Sequence, residues 1–166
     1  MAKKTTSPRD TLEQAMVLEK QGSDYFSVAS ERTDNELAKR TFQAVAGRHD
    51  RHAERMEQVA HALDQEAAPE VEPAAARMLF EEIMRRIEQS TSPTARNMAE
   101  LRDAIVYATK LRDVYAHMAQ AATLDWETRL YSVLRDEEES LRLTLSDTLN
   151  YLRSNFDLSQ LPKAEA

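Results

Sequence analysis

The chain has 166 residues, long enough for one domain with a continuous core, and only two glycines and five prolines, fewer than turn-rich sheet folds need. A formal net charge of −7 argues against a nucleic-acid binder, which needs a clustered basic face. The absence of cysteine excludes disulfides, thiol catalysis and cysteine-ligated metal, so a reducing cytoplasm is the expected setting; no run approaches the roughly 20 apolar residues of a membrane span.

Ser7-Pro8 is a helix start, with serine as N-cap and proline at the first helical position. Behind it Leu12, Ala15, Glu19, Gly22, Phe26 and Ala29 recur in alternating steps of three and four. Thr33-Asp34 or Asn35 restarts the chain as a second helix, whose seam is Phe42, Val45, His49, His52, Met56, Val59 and Leu63. Asp64 to Glu72 reads as a linker closed by Pro73. A shorter amphipathic helix is expected at about 74–89, with Met78, Leu79, Ile83, Met84 and Ile87 on one side. Ser90-Thr91-Ser92-Pro93 breaks it and caps the next helix, whose seam is Leu101, Ala104, Ala108, Leu111, Tyr115, Met118 and Ala122. The fourth long helix carries Tyr131, Leu134, Glu138, Leu141, Leu145, Thr148 and Leu152, and residues 155–166 read as a loose tail.

Four such seams are what an antiparallel four-helix bundle requires, because each helix shows a narrow stripe to its neighbours. The expected fold is therefore all-α, one domain over 1–154, with helix pairs at about 8–63 and 94–154. The 64–93 segment is a long crossover with its own short helix, which is the ferritin-like topology. A shift of 89 residues lays Leu12 on Leu101, Ala15 on Ala104, Phe26 on Tyr115, Phe42 on Tyr131 and Leu63 on Leu152, so the halves read as two copies of one helical hairpin.

Four seam positions are ionisable: Glu19, His49, His52 and Glu138. Burying such groups is costly unless they are paired or bound to a metal. Counted from the turns at about 1.5 Å per residue, all four fall within about one helical turn of the same level. Two imidazoles and two carboxylates from three helices form a donor set that suits Zn²⁺, Fe²⁺ or Mn²⁺. His61 and His117 lie off the seams and are expected at the surface. Tyr25, Tyr107 and Tyr115 are explained by packing, and the Asp136-Glu137-Glu138-Glu139 and Arg112-Asp113 runs by a solvated face, with Glu138 the exception.

Leu18-Glu19-Lys20-Gln21-Gly22-Ser23-Asp24-Tyr25-Phe26 resembles the first-helix signature of rubrerythrin-type proteins of the ferritin-like superfamily. Phe42 to His52 resembles their second helix, which ends in Glu-x-x-His. That family builds a two-iron site from a Glu and a Glu-x-x-His in each half. Carried over, the resemblance gives Glu19, His49 in place of the bridging glutamate, and His52 from the first half, and Ala108, Glu138 and Leu141 from the second. It implies one divalent metal at Glu19, His49, His52 and Glu138, iron by family and zinc or manganese by donor type. It also implies an oxidoreductase role toward peroxide or oxygen. A rubredoxin-like donor would need cysteines, and a shared two-electron step would need the second iron whose ligands are here Ala108 and Leu141, so neither is expected.

The alternative is a metal-free bundle in which the four residues persist as two hydrogen-bonded Glu–His pairs. Such a chain would serve as an interaction or assembly module, docking through the crossover helix. The apolar Met78, Leu79, Phe80, Ile83 and Met84 of that helix also motivate the expectation of a homodimer. Iron storage is a third reading and would need a shell that nothing in the sequence signals.

Overall fold

The computed structural model describes residues 7–71, 79–86 and 93–156. The described residues form five helices: α1 (Pro8–Arg32), α2 (Glu36–Asp64), α3 (Leu79–Met84), α4 (Ala95–Ala121) and α5 (Asp125–Ser154). Among them there is no strand, and no helix is long and apolar enough to cross a membrane.

The helix starts are chemically specified. Ser7 accepts from the Asp10 backbone N–H while the Asp10 side chain returns a bond to the Ser7 N–H, a reciprocal cap ahead of Pro8. Asn35 caps α2 through the Ala38 N–H. Thr94 and Asn97 form a second reciprocal cap on α4. That cap corrects the expectation that Ser90-Thr91-Ser92 would start this helix; those three residues lie outside the described ones. Of the crossover helix expected at 74–89, Leu79–Met84 is helical and residues 85–86 form a turn, while 74–78 and 87–89 lie outside the described residues. Residues 33–35 join α1 to α2 and residues 122–124 join α4 to α5, so the 89-residue offset carries one turn onto the other.

α1 packs along α2, and α4 along α5. These are two hairpins, reversed by turns too short to do anything else. The hairpins meet through α2 against α5 and α1 against α4, with α3 lying on α2 and α5. An Arg9–Asp64 ion pair puts the end of α2 beside the start of α1. At the other end, Asn97 Nδ2 donates to Thr33 Oγ1 at 2.9 Å and to Asp34 Oδ1 at 3.1 Å, so α4 starts beside the first turn. The end of α2 and the start of α4 therefore lie at opposite ends of the described bundle.

All four long helices feed two apolar clusters. One, at the Asn97 end, contains Phe26, Phe42, Val45, Leu101, Ala104, Leu145 and Leu152 together with Ile83 of α3. The other, at the Arg9 end, contains Leu12, Ala15, Met56, Val59, Leu111, Tyr115, Leu130 and Leu134. Each fully buried aliphatic or aromatic side chain here contributes about 1.5–3 kcal/mol of transfer free energy. Every seam residue of α5 is buried, while Ala29, Leu63, Met118 and Ala122 at the ends of the other seams are half-buried. Phe156 packs half-buried on the first cluster, so the chain past α5 is less loose at its start than expected. Leu79, Phe80 and Met84 pack half-buried against the same cluster, so much of the crossover's apolar surface is spent on the chain's own core.

Candidate metal centre

Along the seams of α1, α2 and α5 the two apolar clusters are separated by a polar layer. On α1 it is Glu19, between Ala15 and Phe26; on α2 it is His49 and His52, between Val45 and Met56; on α5 it is Glu137 and Glu138, between Leu134 and Leu141. Glu19, His49 and Glu138 are 0% exposed and His52 is 1% exposed. One ligand atom from each of these four lies within 4.8 Å of all the others. The spacing of three between His49 and His52 puts both rings on one face of α2, and their planes stand at 80° with centroids 6.0 Å apart.

Glu19 is the hub. Its Oε2 accepts from His49 Nδ1 at 2.6 Å and from His52 Nδ1 at 3.2 Å, and its Oε1 accepts from the Tyr115 hydroxyl. Burial opposes the ionised form of Glu19, but the two histidine hydrogen bonds and their charges win and hold its carboxyl at about 2. Glu138 is placed differently. Its Oε1 stands 3.6 Å from His49 Nδ1 and 3.7 Å from His52 Nδ1, and neither of its oxygens accepts a hydrogen bond. Burial, with the Glu19 charge adding to it, pushes Glu138 up to about 7 against the pull of the histidines. One buried carboxylate is thus fully served and the other has no donor.

His52 reaches both ways. Its Nδ1 faces Glu19, and its Nε2 lies 2.6 Å from Oε2 of Glu137, which also accepts from Arg55 Nη1 at 3.1 Å. Burial lowers the His52 pKa, but Glu137 and Glu19 raise it to about 9. Burial likewise opposes protonation of His49, and Glu138 and Glu19 outweigh it, leaving its pKa raised. His49 Nε2 is buried with no hydrogen-bond partner. The His49 ring is clamped between helices: it stacks on Phe26 at 5.3 Å and 13°. A Cβ on Gly22 would lie 2.8 to 2.9 Å from three of its atoms. Glycine at position 22 is therefore a condition of the ring's place, since this is a close approach that no side chain fits.

The structure thus brings together all four residues singled out by periodicity. His61 and His117 are exposed, as expected. Two expectations need correction. Glu137 is only 4% exposed and belongs to the site, not to a solvated acidic face. Tyr115 does more than pack, because its buried hydroxyl serves Glu19. The two separate Glu–His pairs of the metal-free alternative are not formed either; both histidines converge on Glu19. Ala108 and Leu141, at the positions equivalent to Glu19 and His52 in the second half, are buried members of the apolar cluster.

The arrangement is a buried group of two carboxylates and two imidazoles that could hold a metal ion. Comparison with protein families, with curated proteins and with solved structures finds no match to this chain.

Proposed function

We propose that the chain is a rubrerythrin-like, ferritin-fold protein that holds one divalent metal ion in its core, with Glu19, His49, His52 and Glu138 as ligands. The observation that carries the reading is Glu138: a carboxylate at 0% exposure, both oxygens without a hydrogen-bond donor, facing two imidazoles and a second carboxylate. A buried, unserved carboxylate is destabilising unless a cation or proton meets it. A divalent ion offsets the charges of Glu19 and Glu138 with both histidines neutral, and its binding releases the protons they hold. The two-hairpin arrangement with its end-to-end crossover supports the ferritin-like topology.

Within this reading the chain's own residues have distinct tasks. The Nδ1 atoms of both histidines already face the two carboxylates. Glu137, itself tied to Arg55, lies against Nε2 of His52 and orients that ring. Tyr115 orients Glu19, and Phe26 with Gly22 fixes the plane of His49. Iron, the metal implied by resemblance, would supply redox chemistry toward peroxide or oxygen when bound, whereas zinc would supply none; four protein donors complete a tetrahedral set for the latter.

A second reading, a metal-free helical module that assembles with partners or with itself, is favoured by one observation. Glu19 already takes three hydrogen bonds within the protein, so half of the group is satisfied without an ion. A homodimer remains part of either proposal, and light scattering at two concentrations tests it.

Metal content per chain decides between the readings. Protein purified without chelators and then offered Fe²⁺ anaerobically, or Zn²⁺, should hold about one ion per chain, as expected of a single four-donor site. The Glu19→Ala, His52→Ala double variant should hold none. Unchanged occupancy in that variant, or no metal in the parent protein, refutes the proposed centre.

A further inference from the structure

One pair of places on the second helix of each hairpin sets the two repeats apart. In the first copy these are Ala38 and Phe42, both 0% exposed and both in the apolar cluster at the Asn97 end. Shifted by 89 residues they become Glu127 and Tyr131, at 4% and 0% exposure. Phe42 fills its place without a hydroxyl, so packing does not explain the hydroxyl of Tyr131, which has no hydrogen-bond partner among the described residues. Tyr115, stacked on Tyr131 at 6.4 Å and 9°, gives its own hydroxyl to Glu19. A hydroxyl left unpaired in a core lowers stability. The one on Tyr131 therefore points to a partner from outside the chain.

Glu127 and Tyr131 both border a cavity of about 290 Å³ at the Arg9 end, between the start of α1 and the α4–α5 turn. These two buried residues form its inner wall, Gln14 and His117 its exposed rim, and Met118 and Ala122 add apolar surface. A helical side chain leans toward the N-terminus of its own helix, so the phenol of Tyr131 is carried toward Glu127 one turn earlier. Burial and the Glu127 charge push the Tyr131 pKa up, which keeps the phenol neutral. Glu127 Oε2 accepts from the Leu124 N–H at 3.3 Å. Among the described residues lining the cavity Glu127 is the one carboxylate, and there is no lysine or arginine.

We propose that this cavity binds a small organic cation, a primary alkylammonium whose charged end lies between Glu127 and the Tyr131 hydroxyl and whose chain lies against Met118 and Ala122. The volume equals that of about ten waters in the liquid, room for a molecule of about six to ten non-hydrogen atoms. An ammonium brings three N–H donors and no acceptor, which suits a carboxylate beside a phenol oxygen. A carboxylate ligand would be repelled by Glu127, and the chain's net charge of −7 favours the same sign of ligand. The cavity is lined by none of the four proposed metal donors, so this site goes beyond the metal reading and stands apart from it.

Met118 lines the cavity and Met98 belongs to the far cluster, so ¹³C-methyl-methionine spectra report on the site and on the core together. Hexylammonium, hexanol and hexanoate share one chain and differ in charge. Titrated into the protein as purified at about 0.15 M salt, hexylammonium should shift the Met118 methyl saturably and leave Met98 unmoved. Its Kd should be on the order of 1 mM, as suits so small a ligand, with hexanol about tenfold weaker or more and hexanoate not bound. Glu127→Gln keeps an acceptor for the Leu124 N–H, so this variant should fold and lose the preference for hexylammonium over hexanol. Tyr131→Phe should weaken hexylammonium about fivefold or more while raising Tm, because the unpaired hydroxyl is gone. Equal binding of hexylammonium and hexanol, undiminished binding in Glu127→Gln, or no Met118 shift at about 10 mM, tenfold above the expected Kd, overturns the site. None of these outcomes bears on metal content per chain, which is measured separately.

Discussion

Gly22→Ala is a sharp test of how the centre is built, because two effects of known size oppose each other. Gly22 sits in the interior of α1, where alanine ordinarily gains about 0.8–1.0 kcal/mol over glycine. Here the added Cβ would lie 2.8 Å from His49 Nδ1 and 2.9 Å from its Cγ and Cε1. That ring has no easy retreat, being stacked on Phe26 and held 2.6 Å from Glu19 Oε2. Overpacking of this kind costs about 1–3 kcal/mol, so the net expectation is a loss of about 1 kcal/mol, opposite in sign to helix propensity. Gly47→Ala is the matched control, since a Cβ there meets only Arg51 Nη1 at 3.6 Å and should give the ordinary gain. Urea unfolding of the chelated proteins reads both. Calorimetric Zn²⁺ titration of Gly22→Ala should show affinity reduced on the order of 10- to 100-fold, the size typical when a ligand's support is disturbed. If Gly22→Ala stabilises the protein as much as Gly47→Ala does, the description of the His49 pocket is wrong.

In chelated protein, His52 contributes stability that is full below its ordinary 6.5 and is lost as pH rises through about 9; Glu138, raised from 4.5 to about 7, also favours the protonated folded form and loses that advantage between those values. The Tm of the chelated protein should therefore fall from pH 5 to pH 9 while that of the Zn²⁺-loaded protein falls less, and a chelated Tm that rises over this interval refutes the assignment. Glu137→Gln removes the charge opposite His52 Nε2 and should weaken Zn²⁺ binding by about 10- to 100-fold with the circular dichroism spectrum intact; affinity equal to the parent's would show that Glu137 does not support the ligand. Tyr115→Phe deletes a buried donor to a charged oxygen and should cost about 1.5–3 kcal/mol in urea unfolding of the chelated protein. A loss below 0.5 kcal/mol, on the order of a surface change, would show that Glu19 is satisfied without it.

The helices and the four central residues were legible because period and chemistry disagree at Glu19, His49, His52 and Glu138: each stands where the seam demands an apolar side chain. The repeat was legible because seam side chains recur at one fixed offset, and the equal turns at 33–35 and 122–124 support it. Glu137 was not legible. It stands one position off the seam in a run of four acidic residues, and a narrow seam of threes and fours undercounts a buried face that is wider than 100°. His52 and Arg55 across the hairpin interface draw it inward, and periodicity within one helix carries no information about partners on another. Tyr115 was hidden in the opposite way. An aromatic side chain at a seam position satisfies the pattern, so nothing signalled that its hydroxyl would reach Glu19 on another helix. Of the crossover helix expected at 74–89, the described residues show the stretch Leu79–Met84, whose apolar side chains pack on the core as their spacing implied.

Ala108 and Leu141 give the duplicated hairpin an uneven inheritance. In the first copy the equivalent positions are Glu19 and His52; in the second they have joined the apolar filling, at 0% and 3% exposure. Three of the four donors consequently lie on one continuous stretch from Glu19 to His52, with both histidines hydrogen-bonded to Glu19. The second hairpin adds one carboxylate, Glu138, together with two side chains that hold the other donors, Tyr115 on Glu19 and Glu137 on His52, so a hairpin standing in for it would have to present all three.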